Sequence, residues 1–428
     1  MMGIFGRVLL MVVGLVILVG CGQSTPVPSA TPAPTTLPTT TALLTLPTAA
    51  TTSVPTVVAT AVPATATVAA GSMQLPAALY FLEAGQIHRI DPETLSRQQI
   101  TAEVAARPEL APIGAFAITG DGRLAYKVDD LTADRLVLAT VDGTEPQILF
   151  EQPEVQIGAM RWSPDGKQLA VRLGVIPPES ADFQSGVYLF GRPGEPPHLV
   201  QADDPVADPI NPSPEVRAYN PRAWAPDGSA LLLDAFSPFY ELCTPAIRDL
   251  DAAEAQRPAA PAELTAVCED AGWSRDSRSV YVRLAPAEGQ LAGAGLWLFA
   301  RDGSMTELIE RQREGIFQLI VAAEELQTNE IYYFFAAAGR LPGAFDTDPG
   351  LAFVMQRVAA DGRRDRTPLR TDALVLPQEA HWAPDGSGAA VLAMRENQPR
   401  LNWLPVHSAA IVELPAMGFG VEQLRWGP

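Results

Sequence analysis

A short phrase, Trp followed by Ser or Ala and then Pro-Asp-Gly, returns along this 428-residue chain at spacings too regular for chance. It stands at Trp162 to Gly166, Trp224 to Gly228 and Trp382 to Gly386, with a decayed copy at Trp273 to Ser277 and a copy without Trp at Phe116 to Gly122. The starts are separated by roughly 46 to 62 residues, with one double interval between Trp273 and Trp382, which is the signature of one supersecondary unit used many times. Such a chain is a ring or stack of near-identical pieces, and its core is assembled between them.

Local physics explains the phrase. An aromatic at the end of an apolar strand packs between neighbouring sheets, and then Pro, Asp and Gly close a tight reversal. A second apolar run follows each time, at Gln168 to Leu173, Ala230 to Leu233, Ser279 to Leu284 and Ala389 to Met394. Third runs end in further reversals at Asp142-Gly143, Asp302-Gly303 and Asp361-Gly362, as in Leu136 to Thr140, Gly295 to Ala300 and Ala352 to Val358. Each unit therefore reads strand, tight turn, strand, longer connection, strand, tight turn, strand.

The stretch Trp162 to Ala170, reading WSPDGKQLA, resembles the repeat signature of TolB-type, WD-repeat-like β-propellers, and the resemblance runs from about residue 78 to the end. It implies an all-β fold of four-stranded antiparallel blades acting as a binding platform. The small α/β domain that precedes the propeller in TolB has no counterpart here, so the particular partners of that protein are not carried over. Six first strands can be placed near Phe116, Trp162, Trp224, Trp273, Phe317 and Trp382, and Val421 to Trp426 is a seventh with nothing after it. Ala78 to Leu82, Gln86 to Asp91 and Arg97 to Ile100 are later strands with no first strand before them. Because an open sheet edge is a liability, the two ends are expected to share a blade, which makes seven.

Three segments result: a lipoprotein signal peptide at 1–20, a disordered linker at 21–74 and a propeller at 75–428. Val8 to Val19 is apolar but too short to span a bilayer permanently, and Leu18 to Cys21 resembles a bacterial lipobox. Cys21 would then become the lipidated N-terminus of an exported protein on the extracytoplasmic face of the membrane. No charged residue occurs between Arg7 and Glu83, and the region after Cys21 is built from Thr, Pro, Ala, Val and Ser, a stalk composition that cannot bury a core.

The 49 acidic residues outnumber the 30 basic ones, for a net charge of −19, and no basic run could neutralise phosphates. Nucleic-acid binding is excluded on that ground, and membrane association is assigned to the lipid on Cys21. With Cys21 lipidated, Cys243 and Cys268 remain as a pair in an oxidising compartment and are expected to be bridged, Cys268 lying just after a last strand of the third blade at Leu264 to Val267. The protein is expected to be a monomer and to carry no cofactor or metal.

Enzyme signatures are missing from the sequence. There is no Gly-x-Ser-x-Gly elbow and no His-Glu-x-x-His, and His88, His198, His381 and His407 are scattered over separate blades. Asp165, Asp227, Asp276 and Asp385 sit in the repeated corner, where an aspartate serves backbone N–H groups. With Trp162, Gly166, Trp224, Gly228, Trp273, Trp382, Gly386 and Trp426 they mark the frame and not a site. Binding is expected on one loop-bearing face, through Phe183, Tyr219, Phe236, Phe239, Tyr240 and Phe345. A second set, Arg161, Arg222, His381 and Arg425, lies next to the marker Trp in four blades; either these residues meet at the rim of the channel as a locus for an anionic group, or alternation turns some of them into the blade interface, where each pairs with a neighbouring acid. The leading expectation is an envelope lipoprotein that binds a protein, peptide or glycan. A lactonase- or lyase-like propeller enzyme and a purely structural envelope protein are the alternatives.

Overall fold

The computed structural model describes residues 74–428 apart from 108–110, 131–132, 176–182, 207–212, 214–215, 239–242, 259–263, 287–294, 311, 314–315, 327–328, 339–352, 361–365, 375–376, 396–397 and 417–420. Seven antiparallel sheets form the blades of a propeller, and no helix occurs among the described residues. The innermost long strands of blades 1 to 6 are Ile113–Ile118, Val155–Trp162, Ala218–Trp224, Leu264–Trp273, Ile316–Glu325 and Pro377–Trp382. Blade 7 takes its innermost strand, Glu422–Gly427, from the C-terminus and its other three, Ala78–Glu83, Gln86–Ile90 and Arg97–Gln99, from the start of the described chain. The seam is antiparallel, with Leu79 opposite Trp426 and Tyr80 opposite Arg425. The expected closure by shared ends is what the chain adopts.

The core is divided among the junctions. Among the described residues seven separate apolar clusters occur, and each combines residues of two adjacent blades. One joins Phe334, Tyr332 and Met355 of blade 5 to Trp382 and Val391 of blade 6. Another closes the ring by setting Tyr80 and Ile87 of blade 7 against Phe116 and Tyr126 of blade 1. No blade has a core of its own, so each is stable only when flanked by two others.

The repeated corner works as a hydrogen-bonded knot. In blade 2 the Ser163 hydroxyl donates to Asp165 Oδ1 at 2.8 Å and accepts from the Gln168 amide at 2.9 Å, while the Lys167 amide donates to the same aspartate oxygen at 3.0 Å. Gly166 has φ +67° and donates its N–H to the Ser163 carbonyl at 2.8 Å, a left-handed conformation that suits glycine. In the decayed copy Ser277 takes that place at φ +60°, and its hydroxyl accepts a bond of 3.0 Å from the Asp227 amide of blade 3. The lost glycine is thus offset by a link between blades.

Blade 3 departs from the expected plan. Leu264 to Val267 is not its fourth strand but the beginning of blade 4's innermost strand, and blade 3 has three named strands with a single bridge, Ile247 to Gln256, at the fourth position. The apolar run was ambiguous because a register shift between Val267 and Gly272 splits one long strand in two. The same irregularity occurs on the innermost long strand of all seven blades. Bulges re-aim side chains, and here they do so next to the axis.

Candidate functional site

The final residues of the seven inner strands are in one register. Trp162, Trp224, Trp273, Trp382 and Trp426 pair respectively with Leu169, Leu231, Val280, Ala389 and Leu79, the first or second position of the adjoining hairpin arm. Ile118 holds this place in blade 1 and Glu325 in blade 5. Side chains alternate along a strand, so the tryptophan and the residue before it leave in opposite directions. The tryptophans reach back: the indole N–H donates to the preceding blade's carbonyl, Trp224 to Arg161 at 2.9 Å, Trp273 to Ala223 at 3.4 Å, Trp382 to Ala322 at 2.8 Å and Trp426 to His381 at 3.3 Å.

The residue before the tryptophan position is not constant and takes five identities over the seven blades. Around the ring it is Ala117, Arg161, Ala223, Gly272, Glu324, His381 and Arg425. Arg161 reaches forward, its Nε donating to the Arg222 carbonyl at 2.6 Å and its Nη1 to Met160 at 2.7 Å. Arg222, the bulged residue of its strand, donates from Nε to the Ala271 carbonyl at 2.8 Å and pairs with Asp234 at 3.4 Å. Arg425 Nη1 donates to Leu424 at 2.6 Å and lies 3.5 Å from His381 Nε2. Of the four cations named from sequence, Arg161 is bonded to the Arg222 carbonyl and Arg425 lies beside His381. Enclosure holds the guanidinium of Arg161 well below its usual range, with further lowering by the charges of Arg425 and Arg222. Burial also lowers Arg425, and Arg222 adds to this while Glu379 opposes it.

Three acids that sequence reasoning missed share the site. Glu379 accepts the bulge amides of Gln423 at 3.0 Å and Leu424 at 2.8 Å and pairs with His381 at 3.2 Å. Burial pushes its carboxyl up, but His381, Arg425 and the Leu424 amide outweigh this and hold it below the usual range. Burial raises Asp234 against the lowering charges of Arg222 and Arg161. Glu324 touches solvent and is nevertheless surrounded by protein, the combination that a channel wall produces; burial raises its carboxyl against the opposing effects of His381 and the Trp382 amide. Register was the missing signal, because Glu324 occupies the position of Arg161 in a blade whose Trp is replaced by Glu325.

Arg161 and Arg425 differ from the other cations here. No carboxylate among the described residues lies within 4.0 Å of either guanidinium, whereas Arg222 has Asp234 and His381 has Glu379. Their fixed bonds run to backbone carbonyls and to one imidazole, which sets their position without neutralising their charge. A small anion entering the axis would meet two positioned donor groups.

Cys243 and Cys268 form a disulfide with Cα atoms 5.8 Å apart. Since Cys268 belongs to blade 4's inner strand, the bridge ties blade 3 to blade 4 and does not close a loop within blade 3. Asp234 lies within 4.8 Å of both sulfurs, the one grouping of metal-ligand types among the described residues. With the sulfurs bonded to one another, no thiolate is available there.

The expected aromatic face fares differently. Phe183 is half-buried and stacked on Tyr188 at 4.9 Å. Tyr219 is not on a loop: it lies in the inner strand of blade 3, is buried, and directs its hydroxyl to Asp204 at 3.5 Å. Phe236 ends the second strand of that blade. Extended strands reach further into the expected loops than the turn-residue pattern suggested. Phe239, Tyr240 and Phe345, like Cys21 and the signal and linker segments up to residue 73, lie outside the described residues. Of the remaining histidines, His88 packs on Phe81 at 5.5 Å and accepts from Arg97 Nε at 3.1 Å, while His198 and His407 are exposed.

No protein-family model and no curated sequence matches this chain. Among solved structures it is similar to TolB of Acinetobacter baumannii, with 11% identity, TM-score 0.46 and coverage of 83% of this chain and 68% of that one. A candidate TolB of Agrobacterium tumefaciens gives 17% identity and TM-score 0.40, covering 74% and 96%. An oligogalacturonate lyase in complex with manganese gives 14% and 0.41, covering 77% and 73%. Such likeness adds nothing to what the chain's own strand order establishes. By its repeated Trp-Ser/Ala-Pro-Asp-Gly corner and its ring of blades closed by both ends, the chain is a seven-bladed β-propeller.

Proposed function

We propose that this protein is an exported, lipid-anchored binding propeller that holds an anionic group of a peptide, protein or glycan in its axial channel. The observation that carries this reading is the pair Arg161 and Arg425: two guanidiniums positioned by backbone carbonyls, with no carboxylate within 4.0 Å among the described residues, in an otherwise acidic chain. Scaffold arginines of the same ring, such as Arg172 with Asp203 at 2.6 Å, have their acids. Anchoring through Cys21 and a long Thr/Pro/Ala stalk suits capture of a ligand away from the membrane surface. The test is quantitative crosslinking capture from intact cells by the wild type and by the Arg161→Ala/Arg425→Ala double variant. The expected result is loss of the specific partner with little change in melting temperature, and equal capture by the two proteins would end this reading.

One observation favours the enzymatic alternative. Glu379 and His381 form a hydrogen-bonded acid–base pair beside Glu324, whose carboxyl is raised, an arrangement suited to proton transfer in a lactonase- or lyase-like reaction. Turnover of a lactone or uronide substrate that disappears in His381→Ala would support it.

A further inference from the structure

The ring of residues before the marker tryptophan is polar in a second sense, because its charges are segregated. Arg425 and Arg161 come from the two blades that flank blade 1, where the same position is Ala117. Arg222 extends this cationic side into blade 3. Glu324 comes from blade 5, three blades from Arg161, which is the largest separation that a ring of seven allows. It stands next to Gly272 of blade 4, where a Cβ would meet only the Ala323 carbonyl at 3.9 Å, so the wall beside Glu324 is open. On its other side is His381, which is engaged with Glu379.

Charge interactions agree with this layout. Arg161 is influenced by Arg425 and Arg222 and, in the opposite direction, by Asp234 and Glu379, and Arg425 by Glu379 and Arg222, whereas the charge that acts on Glu324 is that of His381. Of the three acids at the axis, Asp234 and Glu379 are taken up by Arg222, by His381 and by the bulge amides. Glu324 has no cation within 4.0 Å among the described residues and touches solvent.

Resting on the anion-binding reading above, we infer that the channel takes a small zwitterion with separated charges, its carboxylate at Arg161 and Arg425 and its ammonium at Glu324. An ω-amino acid, a dipeptide or a lysine-like molecule has this chemistry. An ammonium entering beside Gly272 would donate to Glu324, so each end of the ligand would meet a group of opposite charge that has no ion-pair partner within 4.0 Å among the described residues.

Calorimetric titration of the full chain with 6-aminohexanoate, hexanoate and hexylammonium tests this. The wild type should bind 6-aminohexanoate about tenfold or more tighter than hexanoate, the gain of one charge-assisted contact. Glu324→Gln should abolish that preference and leave hexanoate binding unchanged. Arg161→Ala/Arg425→Ala should lose both ligands. Equal affinity of the wild type for 6-aminohexanoate and hexanoate would overturn the zwitterion inference while leaving anion binding intact, as would a preference that survives Glu324→Gln. Failure of the wild type to bind either carboxylate would overturn both readings. The wild-type comparison needs no variant, so a folding defect in a mutant cannot obscure it.

Discussion

Trp382 and His381 are neighbours in one strand, yet they belong to different parts of the molecule. Trp382 turns back to blade 5, where it is 1% exposed, packs on Tyr332 and Phe334, and donates to the Ala322 carbonyl. His381 turns forward to the axis, where it meets Glu379 and Arg425. The tryptophan position recurs because four junctions present the same problem, a slot between blades with a carbonyl at its end. The position before it has no common problem to solve, so it varies around the ring and can carry chemistry. A repeat architecture thus separates frame from site by a single residue step.

The largest way to break this comparison is at the frame. Trp382→Ala should destabilise by about 4 kcal/mol, the usual cost of deleting a buried large aromatic, as read by urea unfolding. The matching change at the axis, Arg161→Ala, should cost about 1 kcal/mol or less for its net hydrogen bonds and act chiefly on ligand binding. If the axis variant proved the less stable of the two, the division would be wrong.

Next is the disulfide, which supplements the frame between blades 3 and 4. Its sequence separation of 25 corresponds in the chain-entropy model to roughly 3.5 kcal/mol. Replacing both Cys243 and Cys268 by Ser should lower unfolding stability by that order without changing ligand affinity. A loss of affinity would show that the bridge also supports Asp234 and, through it, Arg222.

Smaller effects sharpen the picture within the frame. Trp162 differs from Trp382 in that its indole N–H is buried without an acceptor among the described residues, while Arg123 stands 5.0 Å over its ring. Trp162→Phe should therefore be nearly neutral, whereas Trp382→Phe, which removes the bond to the Ala322 carbonyl, should cost about 1 kcal/mol. At the decayed corner, Ser277→Ala removes the bond to the Asp227 amide and keeps the left-handed backbone, so a loss of about 1 kcal/mol is expected. Ser277→Gly loses the bond but relieves the backbone, and should fall closer to the wild type.

Frame and axis also respond to acid with opposite signs. The corner carboxylates Asp142 and Asp165 are held at about 2 by hydroxyl and amide donors. Below an unfolded value of about 3.9 their contribution is lost progressively as pH falls through about 2. Glu324 and Asp234 are raised, so their charged forms cost stability at neutral pH, and this cost disappears as pH falls through their folded values. Melting temperature should rise on mild acidification and then drop steeply towards pH 2. Glu324→Gln should flatten the rise and leave the drop.

Much of the fold was legible because corners and strand ends are local. Pro, Asp and Gly make the same turn wherever they occur in that order, and a final strand without a successor implies closure with the unmatched strands at the other end. Leu264 to Val267 was misplaced because a bulge broke an inner strand at the residues where the pattern would have shown its continuity. Tyr219 was misread as a loop residue because polar and apolar residues alternate too weakly before Trp224 to reveal the strand. The arginines were found through their place beside a marker tryptophan, and Glu324 was missed because blade 5 has no such marker.

The sequence by itself determined the number of blades, the corner chemistry and the identity of the bridged cysteines, since each follows from short-range geometry or from a count. Only the tertiary structure decided which charges face one another. Arg161, Glu324 and Arg425 are separated by a hundred residues or more from one to the next. They share a channel because ring closure and seven bulges bring equivalent strand ends to one axis, and no property of the intervening sequence records which residue of a strand will be turned towards it.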